Sequence, residues 1–236
     1  NIKNQKLKCF RNLTLHSKIA LSVTGILLVS GAVLYFIFEF HNPKTMGELS
    51  LFGKVQASVF QSVTTRTAGF ATVPQQDLTD ASAIVSLMLM FIGGSPVGTA
   101  GGVKTVTIAI LVMSAFATIR NDEDVVLFRR RISKQAIGKA VAVVSMSFII
   151  AYTSTILLSA VSGAPALDVL YETFSATATV GLTRNLTPTL NVWGKLIVIV
   201  TMYLGRVGPI SLVIAFNTKN RKRNIIKNPI EEISVG

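Results

Sequence analysis

Residues 19–38 form an unbroken run of 20 residues without a charge. A helix of that length crosses the ~30 Å hydrocarbon core of a bilayer. Residues 140–167 form a second uncharged run, longer than the first. Soluble domains disperse their apolar residues at a period of 2 or 3.6, so blocks of this kind predict an integral membrane protein. Half of the 236 residues are hydrophobic and only 14% are charged, in keeping with that class. The first block starts after 18 polar or mixed residues and is too long for the apolar core of a signal peptide, so no cleavable leader is expected. With Cys9 as its one cysteine, the chain cannot build an internal disulfide framework.

The formal net charge is +12, but the basic residues are not gathered on one patch. Lys3, Lys6, Lys8, Arg11 and Lys18 form one cluster. Arg120, Arg129, Arg130, Arg131, Lys134 and Lys139 form a second, and Lys219, Arg221, Lys222, Arg223 and Lys227 a third. Sixteen of the 23 basic residues thus flank apolar blocks, as cytoplasmic loops do under the positive-inside rule. This placement argues against a nucleic-acid surface. If the three clusters share one side, each stretch between them must cross the membrane and return.

The two stretches have one plan: an apolar block, a mixed segment, a second apolar block. A fixed offset of 112 pairs Thr65 with Thr177, Thr67 with Thr179, Gly69 with Gly181, Leu78 with Leu190, Met90 with Met202 and Gly93 with Gly205, without a gap. It also sets Phe70 on Leu182. Repeats of this kind in transport proteins place the substrate path at the repeat interface.

Each mixed segment begins with a helical pattern too short to span, at residues 54–64 and 167–176. A helix that stops inside the membrane needs protein or water at its free end, because lipid cannot satisfy its backbone. Each pattern runs into a Thr/Gly stretch, "TTRTAGF" at 64–70 and "TATVGL" at 177–182. A short entering helix followed by such a stretch can build a narrow cation filter from carbonyl oxygens. Glycine permits the positive φ that such a backbone requires. Thr67 and Thr179 can add hydroxyl oxygens, and oxygen-only ligation suits a hard alkali cation. A plain loop turn at each glycine is the competing reading.

"FQSVTTRTAGF", "MFIGGSPVGTAGGVKT" and "YLGRVGP" together resemble the Ktr/Trk/HKT superfamily of potassium transporters, the Ktr-type membrane subunit above all. The resemblance covers nearly the whole chain. It implies an all-α integral membrane protein of two tandem helix–re-entrant pore helix–broken helix repeats, half of a pseudo-fourfold K+-channel-like pore. The family has four repeats, and these two look like the third and fourth. The implied filter comprises Thr65, Thr67, Ala68, Gly69, Phe70, Thr177, Thr179, Val180, Gly181 and Leu182, with K+ as the ion held there. Glycine at Gly69 and Gly181 is, in that family, the state associated with K+ preference.

The run "GGSPVGTAGGVKT", residues 93–105, breaks the second apolar block after about a dozen residues, since five glycines and a proline cannot continue a helix. Irregular backbone at membrane depth must face protein or a water-filled cavity, so this segment is expected to line the path below the filter. The resemblance makes it a mobile gate formed by Gly93, Gly94, Ser95, Gly98, Thr99, Gly101, Gly102 and Lys104, with Arg206 from the last helix beneath the filter. A phosphate-binding loop is the competing reading, but Val103 stands where that motif needs glycine and an apolar helix precedes it. Arg66 is expected to point away from the pore and brace the filter from behind. Asp77, Asp80, Asp168 and Glu172 are expected at the outer mouth or in packing, not as ion ligands.

The division that follows is a basic segment 1–18, a first helix–pore loop–helix unit 19–119 with its loop at 93–104, a basic link 120–135, a second unit 136–217 and a tail 218–236. The function expected is K+ uptake as an ion-translocating subunit, with Na+ left open as an activator. A Na+-conducting or other monovalent cation channel of the same architecture is the alternative. A membrane-embedded enzyme lacks paired acids, a Ser/His arrangement or metal ligands. No bound cofactor is expected. The resemblance implies a homodimer and a cytoplasmic nucleotide-binding ring as partners, with anionic lipid competing for the basic segments. The non-Met start and the basic link before residue 19 lead to the expectation of two further repeats ahead of Asn1, with two copies sharing one pore as the alternative.

Overall fold

The computed structural model describes residues 13–95, 100–122, 124–128 and 130–208. The first helix, α1 (Leu15–Glu39), runs 25 residues, and Thr14 caps it by accepting from the Ser17 amide. A short helix α2 (Leu51–Thr64) follows, capped by Ser50. A single 3-10 turn (Gln75–Asp77) leads into α3 (Asp80–Phe91), whose cap is Thr79. After the Gly-rich segment comes α4 (Thr105–Ile119). The long α5 (Lys134–Ser162, 29 residues) ends at Gly163, whose φ of +61° closes the helix in the left-handed conformation that glycine adopts freely. A second short helix α6 (Ala166–Thr177), a second 3-10 turn (Thr187–Thr189) and α7 (Val192–Val207) complete the described order.

The order recurs with the spacing read from sequence. The 3-10 turns start at Gln75 and Thr187, and the caps of α3 and α7 are Thr79 and Asn191, both pairs 112 apart. Between α4 and α5 the basic link folds as a small antiparallel ladder, β1 (Val126–Leu127) on β2 (Arg130–Arg131), which the all-helical expectation did not include. Its cause is local: Phe128 at φ +48° turns the chain back, and Val125 and Ile132 tuck under α4 with Ala117.

Helix α1 packs on α2, α3 and α4; α5 packs on α6 and α7; and α3 reaches across to α6. At that crossing Ala83 and Met90 of α3 bury against Tyr171, Ala178, Val180 and Leu182. Large apolar side chains stay outside on the long helices, among them Leu21, Ile26 and Val29 of α1 and Ile149, Ile156 and Leu157 of α5. Lipid tails cover such faces without help from protein, so this is a membrane fold with its polar groups inside. Among the described residues, α1 and α5 are long and apolar enough to cross a bilayer.

Among the described residues, the buried side-chain polar atoms are hydrogen-bonded apart from Arg66 Nε and Thr105 Oγ1. The Glu39 carboxylate, fully buried, accepts from Asn42 Nδ2 at 2.7 Å, Thr45 Oγ1 at 2.5 Å, and the Thr79 amide and hydroxyl at 2.9 and 2.8 Å. It thereby ties the end of α1 to the start of α3. Lys54 Nζ donates to the Phe40 carbonyl at 2.7 Å and stands 4.0 Å from the Phe40 ring centroid, so a charge on the short helix α2 is held at the end of α1.

Candidate functional site

Helices α2 and α6 end within the fold, and each hands its last turn to a Thr/Gly segment. In the second, the Thr179 amide donates to the Ala176 carbonyl at 3.1 Å and the Val180 amide to the Ser175 carbonyl at 2.9 Å. This is the hydrogen-bond pattern of a Schellman end, but the left-handed position is held by threonine. Thr179 has φ +55° and Gly181 +90°; at the equivalent places Thr67 has φ +69° and Gly69 +79°. A β-branched residue at positive φ is a rare and strained choice. It occurs at matched positions in both halves.

Alternation of φ sign along three residues has a geometric result. An ordinary strand turns successive carbonyls to opposite sides, whereas sign alternation turns them to the same side. Each segment can thus present a row of oxygens along one edge. The two segments are close: a Cβ built on Gly69 would collide with the Val180 carbonyl oxygen. The second half therefore sets a carbonyl directly against the first half's glycine.

Each segment is braced. Thr64 Oγ1 donates to the Phe70 carbonyl at 2.6 Å and accepts from the Phe70 amide at 2.8 Å, closing the first loop on its own helix. In the second, Glu172 of α6 accepts from Thr183 Oγ1 at 2.6 Å and Thr187 Oγ1 at 2.5 Å. Arg184 pairs with Asp168 at 2.7 Å. Asp168 and Glu172 thus serve packing, in line with the reading from sequence.

The residues expected at the site divide by what they can offer. Thr65 is buried and donates its hydroxyl to the Gln61 and Ser62 carbonyls at 3.0 and 3.2 Å, and Thr177 donates to the Thr173 carbonyl at 2.7 Å. An ion at either residue would meet the carbonyl, not the hydroxyl. Ala68 and Phe70 are exposed, whereas Val180 and Leu182 are buried in the core against α3.

The Gly-rich segment lies against both Thr/Gly segments. Its ends are pinched together by the Val103 amide on the Phe91 carbonyl at 3.1 Å and the Thr105 amide on the Gly94 carbonyl at 3.4 Å. A Cβ on Gly101 would strike Thr179 Oγ1 and the Ala178 carbonyl, one on Gly102 (φ +67°) would lie 3.3 Å from Ala178 Cβ, and one on Gly94 would lie 3.9 Å from Thr67 Oγ1. Gly93 sits with its Cα against the Gly101 carbonyl. Ser95 Oγ is 3.1 Å from Thr24 Oγ1 of α1. Lys104 Nζ bonds the Ala100 carbonyl, and Lys104 lies within electrostatic reach of Arg206 in the last turn of α7. Gly98 and Thr99 lie outside the described residues.

Residues 65–68 turn after α2 rather than alternating as a strand, and Arg66 makes a structural contact: its Nη2 donates to the Gly93 carbonyl at 3.1 Å, at the start of the Gly-rich segment. Reading the sequence missed Glu39, Gln61, Gln75, Tyr171 and Arg184. The offset of 112 places Arg184 opposite Thr72 and Gln75 opposite Thr187, so repeat matching hides them.

Residues 2–227 match the family model of TrkH, described as a cation transport protein. The chain is 39% identical over 235 residues to the Ktr system potassium uptake protein B of Bacillus subtilis, covering 100% of this chain and 52% of that protein. It is 38% identical to the protein of that name in Vibrio alginolyticus over 97% of this chain and 50% of the other. It is 36% identical to the potassium/sodium uptake protein NtpJ of Enterococcus hirae over 96% of this chain and 51% of the other. The chain therefore spans about half the length of the curated relatives it matches. In fold it is similar to the crystal structure of the potassium transporter TrkH from Vibrio parahaemolyticus, with a TM-score of 0.68 at 19% identity, covering 85% of this chain and 44% of the other.

Proposed function

Because the chain belongs to the TrkH family of cation transport proteins, a family of multi-pass membrane transporters and not of enzymes, we propose that it forms part of a K+ uptake path across the cell membrane. The observation that carries this reading is the pair of positive-φ positions, Thr67 and Gly69 against Thr179 and Gly181, with the Val180 carbonyl facing Gly69. Two rows of oxygens at close approach replace the hydration shell of an alkali cation without any charged ligand. Strain at the matched threonines Thr67 and Thr179 is tolerated because the conformation serves the ion.

In this reading α2 and α6 are re-entrant pore helices, the two Thr/Gly segments are filter walls, and each half of the chain is one helix–pore loop–helix unit. The Gly-rich segment is the gate. It fills the space beneath Thr67 and Thr179 with small residues, so it closes the path tightly and moves aside at little steric cost. Lys104 and Arg206 add positive charge there and raise the barrier to a cation. Na+ activation, a homodimeric assembly and a cytoplasmic nucleotide-binding ring belong to the same proposal. They rest on the resemblance carried by the three sequence motifs.

A second reading has one specific support. NtpJ is named for potassium and sodium, and at 36% identity it leaves Na+ open as a transported ion. Uptake of radiolabelled Rb+ by the complete protein in a K+-uptake-deficient bacterium, with Na+ present and absent, separates these readings. Saturable Rb+ uptake, weakened in Gly69→Ser and Gly181→Ser, supports the K+ path. Uptake of Na+ with no competition by K+ or Rb+ favours the alternative.

A further inference from the structure

The two Thr/Gly segments sit on helices from different halves of the chain, so something must hold α2 and α6 at a fixed separation. The buried side chains between them show what does. Gln75, in the 3-10 turn after the first segment, exchanges amide hydrogen bonds with Gln61 of α2: Gln61 Nε2 donates to Gln75 Oε1 at 2.7 Å and Gln75 Nε2 to Gln61 Oε1 at 3.2 Å. Gln75 Nε2 also donates to the Val73 carbonyl at 2.8 Å. From the other half, Tyr171 of α6 donates its hydroxyl to the same Gln75 Oε1 at 2.9 Å. Arg184, just past the second segment, donates Nη1 to the Gln75 and Leu78 carbonyls at 3.2 and 3.3 Å while its Nε holds Asp168.

Gln61, Gln75 and Tyr171 are all buried, at 0%, 3% and 0% exposure, so these bonds are not shared with bulk water. The network begins four residues before Thr65 and ends five after Phe70, and Tyr171 and Arg184 bracket the second segment in the same way. Both segments therefore hang from one buried polar cluster. The cluster is not a product of the repeat. The offset of 112 replaces Tyr171 by Val59, Arg184 by Thr72 and Gln75 by Thr187, and the second half uses Glu172 with Thr183 and Thr187 instead.

We propose that Gln75 and Tyr171 form an inter-half clasp that fixes the spacing of the two Thr/Gly segments, making them positioning residues that set ion preference without touching the ion. The proposal rests on the filter reading given above. Buried hydrogen-bond networks of this kind hold one geometry because every broken bond leaves an unmet polar group. Loss of the clasp lets the carbonyl rows separate and soften, and a softer ring discriminates less between ions of different radius.

The test uses the complete protein with Tyr171→Phe, Gln75→Met and the double variant. Thr201→Val is the control, since it removes a buried hydroxyl bonded to Ser154 Oγ at 2.8 Å between α5 and α7. K+ uptake is measured over a range of competing Na+, with thermal unfolding of the purified proteins alongside. Each clasp variant is expected to lose K+ preference about three- to tenfold, the equivalent of one hydrogen bond, with the double variant no worse than the stronger single. Thr201→Val should lose stability without changing preference. Gln61→Met takes the place of Gln75→Met if the latter does not reach the membrane. Unchanged preference in folded Tyr171→Phe, strictly additive losses, or an equal loss in Thr201→Val overturns the clasp. Gly181→Ser separates this from failure of the filter itself: if it too leaves preference unchanged, the filter reading falls, whereas a shift in Gly181→Ser alone removes only the clasp.

Discussion

Gly69 and Gly181 occupy equivalent places but face different neighbours. A Cβ on Gly69 would run into the Val180 carbonyl oxygen, while one on Gly181 meets nothing within 4 Å. Both sit at positive φ, so alanine at either costs about 1–2 kcal/mol in backbone strain. Relief of that strain moves the carbonyl ring, and at Gly69 the collision adds to it. Gly181→Ala is therefore expected to weaken the apparent K+ affinity of uptake by about tenfold, the equivalent of ~1.4 kcal/mol. Gly69→Ala is expected to weaken it further. Equal effects, or the reverse order, would show that Val180 does not face Gly69 in the working protein.

At the scale of elements the Gly-rich segment gives the sharpest expectation. Gly101 lies so close to Thr179 Oγ1 and the Ala178 carbonyl that an added methyl cannot be housed without moving the segment. If the segment obstructs the path, Gly101→Ala raises the maximal uptake rate severalfold; if it supports the second filter wall, the same change lowers rate and K+ preference together. Much at this scale was legible in the sequence. Both short helices were legible as patterns at 54–64 and 167–176; the 3-10 turns and the caps Thr79 and Asn191 also recur at the offset of 112, but the sequence reading did not include them. The positive φ at Gly69 and Gly181 followed from glycine's freedom, whereas that at Thr67 and Thr179 did not, since threonine resists it. The Glu39 cluster and the network of Gln61, Gln75, Tyr171 and Arg184 were out of reach for another reason. Their members stand up to 109 residues apart and follow no period, so only the packed helices reveal that they meet.

For the whole molecule, the two short helices differ in their cover. Helix α6 is buried along Val169 to Thr177 beneath α3 and α5, but α2 leaves Phe52, Val55, Val59, Phe60 and Val63 exposed. Under the proposed pore reading, a further helix–pore loop–helix unit is expected to cover α2 as the first half covers α6. The basic link presents Arg130 and Arg131 on an exposed ladder, with Arg131 paired to Asp124 at 2.7 Å. Reversing both charges with Arg130→Glu and Arg131→Glu is expected to reduce co-purification of a nucleotide-binding ring; retained association at low and high salt would assign these residues to anionic lipid instead. The proposed function requires that the two Thr/Gly segments hold the ion. The most direct measurement of this is an anomalous-difference map from crystals of the complete protein grown in Tl+, an electron-rich stand-in for K+. A column of peaks between residues 67–69 and 179–181 is the predicted result, and well-ordered Tl+ elsewhere with none between these segments would contradict it.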